Sequence, residues 1–156
     1  MDDVDISGLE LSFSSKLTDT LSFSYDMIRI SGESDGAPLS SLSPDQAIIG
    51  LKHLSRDEKF SANFYLSMVD ESFSNFTGTC GRSGSECLTL PDREIFDLYA
   101  SYKFNDHLEL NVALKNLSDH KFWDWSTVNG FAADDANLDL WLEPGRNTNV
   151  SLKISF

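Results

Sequence analysis

The sequence predicts an all-β protein: an antiparallel, up-and-down β-barrel segment of the transmembrane kind, with about seven strands. Three observations carry that prediction. Apolar and polar residues alternate with a period of two in stretch after stretch, as they do on a strand whose two faces meet different surroundings. The connections alternate between short polar turns and long loops. The polar parity of the strands is rich in Ser, Asn, Asp, Glu, Lys and Tyr, which suits a membrane barrel with a wet interior as well as it suits a soluble sheet with a wet exterior.

The elements follow in order. In ISGLELSFSS, Leu9, Leu11 and Phe13 oppose Glu10, Ser12 and Ser14. In LSFSYDM, Leu21, Phe23, Tyr25 and Met27 oppose Ser22, Ser24 and Asp26. IIGLKHL puts Ile49, Leu51 and His53 on one parity. FSANFYLSM sets Phe60, Ala62, Phe64, Leu66 and Met68 against Ser61, Asn63, Tyr65 and Ser67. IFDLYASYKF sets Phe96, Leu98, Ala100, Tyr102 and Phe104 against Asp97, Tyr99, Ser101 and Lys103. LELNVALKN repeats the pattern with Leu108, Leu110, Val112 and Leu114. The last, NTNVSLKISF, holds Val150, Leu152, Ile154 and Phe156 on one parity up to the terminal residue. No stretch carries a sustained helical period. KLTDT, SRDEK and NDH read as tight turns. Long connections are expected at about Ser31 to Gln46, Asp70 to Glu94 and Leu117 to Arg146. Strands of roughly 9–11 residues, short turns at one end and long loops at the other, are the proportions of an outer-membrane barrel. Aromatic residues near strand ends (Phe60, Phe104, Phe156) sit where interfacial girdles are expected. A soluble β-sandwich would mix loop lengths at both ends.

Composition narrows the functional classes. The 156 residues carry 25 acids against 12 Lys and Arg, a formal charge of −13. Nucleic acid is excluded as a partner, because binding it takes clustered cations. No run of 18 apolar residues predicts a membrane-spanning helix. MDDVDISG is no signal peptide, so an export signal would have to lie elsewhere. Two cysteines, Cys80 and Cys87, flank the glycine-containing segment GRSGSE. A local disulfide in an oxidising compartment and a pair of free thiols are both open. Their spacing builds no zinc site, and Asp134, Asp135, Asn137 and Asp139 miss the spacing of a calcium loop. Neither a metal nor a catalytic residue is expected: there is no HExxH, phosphate loop or Ser–His–Asp order.

Two stretches carry a family resemblance. Asn116, Leu117, Asp119, Lys121, Phe122, Trp123 and Trp125 form one element, and Pro144, Gly145, Arg146, Asn147, Val150, Ser151, Leu152, Lys153 and Phe156 form the other. With the upstream ISGLELSFSSKLTDTLSFSY, they resemble the C-terminal end of TonB-dependent outer-membrane receptors, most of all the haem/haemoglobin branch. The resemblance implies the C-terminal part of a 22-stranded plugged barrel, spanning residues 1–156 here with the plug domain absent. Seven strands leave unpaired edges, which lipid does not tolerate, so a C-terminal fragment is expected. It implies TonB-energised uptake of haem or another iron complex, with ferric siderophore or cobalamin as alternative cargo. A small stand-alone outer-membrane barrel and a soluble β-sandwich binding module are the rivals from other classes.

The implied partners are outer-membrane lipid, the barrel assembly machinery, haem or a haem protein, and the TonB complex through the missing plug alone. Val150, Leu152, Ile154 and Phe156 become the lipid-facing stripe, with Phe156 as the assembly signal. The branch's haem-ligating loop lies upstream, so His53, His107 and His120 inherit no ligand role and no tightly bound cofactor is expected. His53 and His107 read as structural or solvated. His120, beside Trp123 and Trp125 in the last long loop, gives the one ligand-contact candidate group. Arg146, after the re-entry turn Pro144–Gly145, is expected to pair with loop acids or a lipid headgroup.

Overall fold

The computed structural model describes residues 3–39, 41–72, 79–80 and 85–156. Seven long strands form one antiparallel sheet: β1 (Val4–Lys16), β2 (Leu21–Ser34), β4 (Gln46–Leu54), β5 (Phe60–Val69), β8 (Arg93–Asn105), β9 (Leu108–Lys115) and β10 (Asn147–Ile154). Between them lie the two-residue strands β3 (Ala37–Pro38), β6 (Thr79–Cys80) and β7 (Ser85–Glu86). One helical turn, α1 (Trp125–Val128), and a 3-10 turn at Leu138–Trp141 complete the chain. Each long strand pairs with the next long strand along the chain, which is the up-and-down order the sequence predicts.

Register converts the seven separate alternations into two continuous faces. Phe23 sits opposite Leu51, and Leu51 opposite Phe64. Phe64 sits opposite Leu98, and Leu98 opposite Leu114. On the closing hairpin Val112 meets Val150 and Leu110 meets Leu152. A slip of one residue anywhere would send a whole strand's apolar set to the other side. The second face collects Ser24, Gly50, Tyr65 and Asp97 by the same pairings. Gly50 is needed there: a Cβ would meet the Ser24 hydroxyl and come within 3.2 Å of the Tyr65 ring. Tyr65 in turn stands edge-on to Tyr99 at 5.9 Å.

The strand ends differ from the expectation in one informative place. β2 runs on to Ser34, into what reads as loop. It then turns back through Asp35 (φ 51) and Gly36 (φ 78) into β3, with Ser34 opposite Ala37. Two consecutive positive φ values are the type I′ turn, for which Asp-Gly is a preferred pair. Near this end the apolar parity of β1 changes sides: Ile6 sits opposite Gly32 and Glu10 opposite Ile28. Gly32 makes room, since a Cβ would lie 3.0 Å from both the Ile6 and Leu42 side chains.

The short turns are tied by local hydrogen bonds. Thr18 Oγ1 accepts from Leu21 N at 3.1 Å. Asp57 takes the Ser55 hydroxyl at 2.6 Å and Lys59 N–H at 3.3 Å. The Ser55 hydroxyl first, and then the Lys59 N–H, hold the Asp57 carboxyl below its usual range. His107 Nδ1 lies 3.1 Å from the Ser155 carbonyl, and Ser155 N–H donates back to the His107 carbonyl at 2.9 Å, so the third turn fastens the last strand.

The tightly packed core lies in the long connections rather than in the sheet. Leu90, Val128 and Ala132 are its buried apolar residues among those described. A single sheet layer cannot bury either of its faces by itself, so both faces of the seven strands stay open in this chain.

Candidate functional site

Two long connections build one cap at the loop end of the sheet. The connection before β8 meets the one before β10 through main-chain bonds: Leu88 N–H donates to the Phe131 carbonyl and Ala133 N–H to the Glu86 carbonyl, both at 2.9 Å. Cys87 and Ala132 pair between them. At the base, Ser72 and Leu90 exchange two bonds: Ser72 N–H donates to the Leu90 carbonyl at 2.9 Å and Leu90 N–H to Ser72 Oγ at 3.0 Å.

Arg93 is the electrostatic centre of the cap. It lies at the loop end of β8, beyond the apolar band that starts at Phe96. Its side chain is only 8% exposed and reaches Asp124 at 3.4 Å, while its guanidinium lies 4.8 Å from the Phe122 ring centre. Burial holds the Arg93 pKa below the usual arginine range, and Asp124 and Glu143 oppose that shift only in part. Asp124 also caps α1, accepting from Ser126 N–H at 3.0 Å. One carboxylate thus serves the helix start and the buried cation.

The two stretches that carry the family resemblance meet in space, and their shared residues act on the main chain. Asn116 is 4% exposed with φ 52. Its side chain donates to the His120 carbonyl (2.8 Å) and the Pro144 carbonyl (3.3 Å) and accepts from His120 N–H (2.9 Å). Its own N–H reaches Asp97 at 2.8 Å. Asp119 accepts from Arg146 N–H at 2.8 Å, with the Arg146 guanidinium at 3.8 Å. Arg146 therefore pairs with a loop acid, as expected. Gly145 lets Asp119 approach, because a Cβ would lie 2.7 Å from its carboxylate. Together they pin the two ends of the last connection.

The candidate residues fall as follows. His120 is exposed, with its main chain clasped by Asn116. Trp123 is half-buried and its indole N–H donates to the Leu138 carbonyl at 2.8 Å. Trp125 opens α1, and its indole nitrogen is buried without a hydrogen-bond partner among the described residues. No hydrogen bond or ring contact joins these three among the described residues. His53 packs against Phe60, ring centres 6.1 Å apart. Val150, Leu152 and Ile154 are exposed on the apolar face, and Phe156 is fully exposed past the end of β10. The side chain of Cys80 lies outside the described residues; Cys87 sits on the cap's inter-loop pairing. No group of metal-ligating side chains occurs among the described residues. What sequence reading missed is the exposed pair Leu140 and Trp141, on a four-residue turn too short to show a period.

Comparisons with known proteins agree with this architecture. The family profile described as "TonB dependent receptor-like, beta-barrel" matches residues 1–117. A probable hemoglobin and hemoglobin-haptoglobin-binding protein of Haemophilus influenzae is 23% identical over 96% of this chain, which spans 17% of that protein. Among solved structures, the copper transporter OprC superposes with a TM-score of 0.80 at 22% identity, covering 99% of this chain and 24% of its own. FpvA of P. aeruginosa, bound to heterologous pyoverdines, gives a TM-score of 0.75 at 18% identity over 99% of this chain and 20% of its own. The same coverage and TM-score, at 17% identity, hold for a complex of FpvAI with pyocin S2. The chain thus spans about a fifth of the length of the proteins it matches. A family-profile match over three-quarters of the chain, together with seven up-and-down strands, decides the assignment: this chain belongs to the TonB-dependent receptor-like β-barrel family, a family of receptors and transporters rather than enzymes.

Proposed function

We propose that this chain is the C-terminal wall of a 22-stranded plugged outer-membrane barrel that takes up haem or another iron complex. The single observation that carries the membrane reading is the apolar face set by register: one row runs Phe23, Leu51, Phe64, Leu98 and Leu114, and the next runs Ala62, Ala100, Val112 and Val150. That face meets lipid, and the Ser-, Asn- and Tyr-bearing face lines the lumen. The segment itself does no chemistry on the cargo; energy reaches it from the TonB complex through a plug domain outside the chain. The barrel assembly machinery reads the terminal Phe156. A haem cargo is supported by the hemoglobin-binding relative, and His120, Trp123 and Trp125 are the residues here nearest in chemistry to a porphyrin contact. A ferric-siderophore cargo is the second reading, favoured by the likeness to FpvA with bound pyoverdines and to the ferric enterobactin receptor of Pseudomonas aeruginosa, 19% identical with a TM-score of 0.68.

The test is growth. The receptor carrying this segment is expressed in an iron-starved outer-membrane host without haem or siderophore receptors of its own. Growth on haemin that vanishes when TonB is deleted supports the first reading. Growth on a ferric siderophore alone replaces it with the second. Growth on neither overturns iron-complex uptake.

A further inference from the structure

Four of the sheet's cations gather at one end of one face. Lys16 closes β1, Lys52 lies two residues before the end of β4, Lys103 two before the end of β8, and Lys153 one before the end of β10. That is the end where the short turns lie. Register puts all four on the Ser-, Asn- and Tyr-bearing face. Lys16 sits opposite Ser22, Ser22 opposite Lys52, and Lys52 opposite Asn63. Lys103 sits opposite Glu109, and Glu109 opposite Lys153. All four lysines are exposed. None of them forms an ion pair among the described residues, so Glu109, flanked by two lysines, pairs with neither. A recess of about 240 Å³ opens between Lys103 and Lys153, walled by Asn105, His107 and Glu109.

This concentration runs against the rest of the chain. The formal charge is −13, yet the strand residues at this end of the face hold four lysines and a single acid, Glu109. The other strand acids of the face, Glu10, Asp26 and Asp97, lie nearer the loop end. Next to Lys103, Glu109 and Lys153 runs an uncharged row, Ser61, Ser101, Asn111 and Ser151. Like charges left together on an open wall repel one another. In a lumen filled by folded protein they also lose water, and a buried ammonium without a partner is strongly disfavoured. Lipid is ruled out as that partner, because Leu152 and Ile154 of the same strand point to the opposite side. An anionic cargo neutralises the wall only while it passes. A resident surface of Asp and Glu does so throughout.

We propose that Lys16, Lys52, Lys103 and Lys153 form a cationic collar that grips an acidic edge of the plug domain at the turn-end mouth of the barrel. The proposal rests on the plugged-barrel reading above. It adds the chemistry of the plug's edge and the place where the plug is released. Ion pairs at the collar separate before the plug can move, whereas the uncharged row beside them offers only neutral hydrogen bonds.

The experiment uses the whole receptor in outer membranes. A zero-length carbodiimide joins an amine to a carboxylate in contact with it, and mass spectrometry locates the link. Links from Lys16 or Lys52, and from Lys103 or Lys153, to Asp or Glu of the plug are expected. In cells, Lys103→Glu with Lys153→Glu raises the influx of a large hydrophilic antibiotic about tenfold at native surface amount. Lys103→Arg with Lys153→Arg keeps the charge and stays within about twofold of native. Changing the linked plug acids to Lys restores the barrier of the Glu variant. Native influx through the Glu variant at native surface amount overturns the proposal. So do links confined to Glu109 and the turn acids, or no links at all. If the Glu variant does not reach the surface, the links in the native receptor decide alone. Lower haemin uptake by Lys103→Gln with Lys153→Gln, without links to the plug, assigns the lysines to the cargo and also overturns it. A receptor that carries no plug defeats the plugged-barrel reading itself, which is distinct from a plug that is present and unlinked.

Discussion

Asn116→Ala opens the base of the last connection. The side chain makes two short bonds to His120 and a longer one to Pro144. A typical intramolecular hydrogen bond contributes about 1 kcal/mol net, so the three together are worth about 2–3 kcal/mol. The backbone at φ 52 adds a second cost: Asn tolerates the left-handed region through local hydrogen bonding, whereas Ala there is strained by about 1 kcal/mol. The expected local destabilisation is about 3–4 kcal/mol. At 1.4 kcal/mol per factor of ten, that is a several-hundred-fold rise in opening. Native-state hydrogen exchange on the detergent-solubilised receptor reads it at the amides of Asp119, His120 and Glu143, while amides in β4 and β5 stay protected. Asn116→Gly separates the two causes. It loses the same bonds but relieves the strain, so it should recover about 1 kcal/mol relative to Ala. Exchange within threefold of native in Asn116→Ala, or Gly no better than Ala, would refute the reasoning.

Three further outcomes are expected. Spin labels at Leu152 and Lys153 in the assembled receptor should differ, with only 152 reached by a lipid-soluble quencher; equal quenching removes the lipid-facing assignment. Phe156→Ser should lower the outer-membrane amount while leaving in vitro refolding nearly native, because the ring is fully exposed; normal surface levels would contradict a role as assembly signal. Cys80 and Cys87 should resist alkylation until reductant is added, as a loop disulfide formed after export would, and full labelling of the unreduced protein would rule the pairing out.

The sheet was almost wholly legible because each strand has two unlike surroundings and so writes its face into every second residue. Leu98 and Leu152 could be assigned to a face with no knowledge of their neighbours. Where both sides are similar the code fades: at Ile6, Ile28 and Ile30 the apolar parity switches near the loop end, and the alternation of β2 gives out before the strand does at Ser34. The Asp35–Gly36 pair was an available turn signal for that hairpin. The cap was far less legible. Arg93, Asp124 and Phe122 come from separate segments, and no period links them. The aromatic candidates drew attention to the wrong kind of exposure: Trp123 spends its N–H on Leu138, whereas Trp141, unremarkable in sequence, is open to solvent. Asn116 and Asp119 were visible as motif residues, but their work on His120, Pro144 and Arg146 needs both ends of the connection folded together.

The main-chain pairing of Glu86 and Leu88 with Phe131 and Ala133 sets how this surface can change over generations. Receptor loops ordinarily drift in both composition and length. Bonds between backbone groups are indifferent to side-chain identity but not to spacing. Around positions 86–88 and 131–133 the chain can therefore exchange residues, apart from Cys87, Ala132 and the buried neighbours of Ala132, while an insertion in either partner shifts the other out of alignment. An epitope tag belongs elsewhere, and the solvent-exposed Asp35–Gly36 turn offers a site that leaves the paired loops in step.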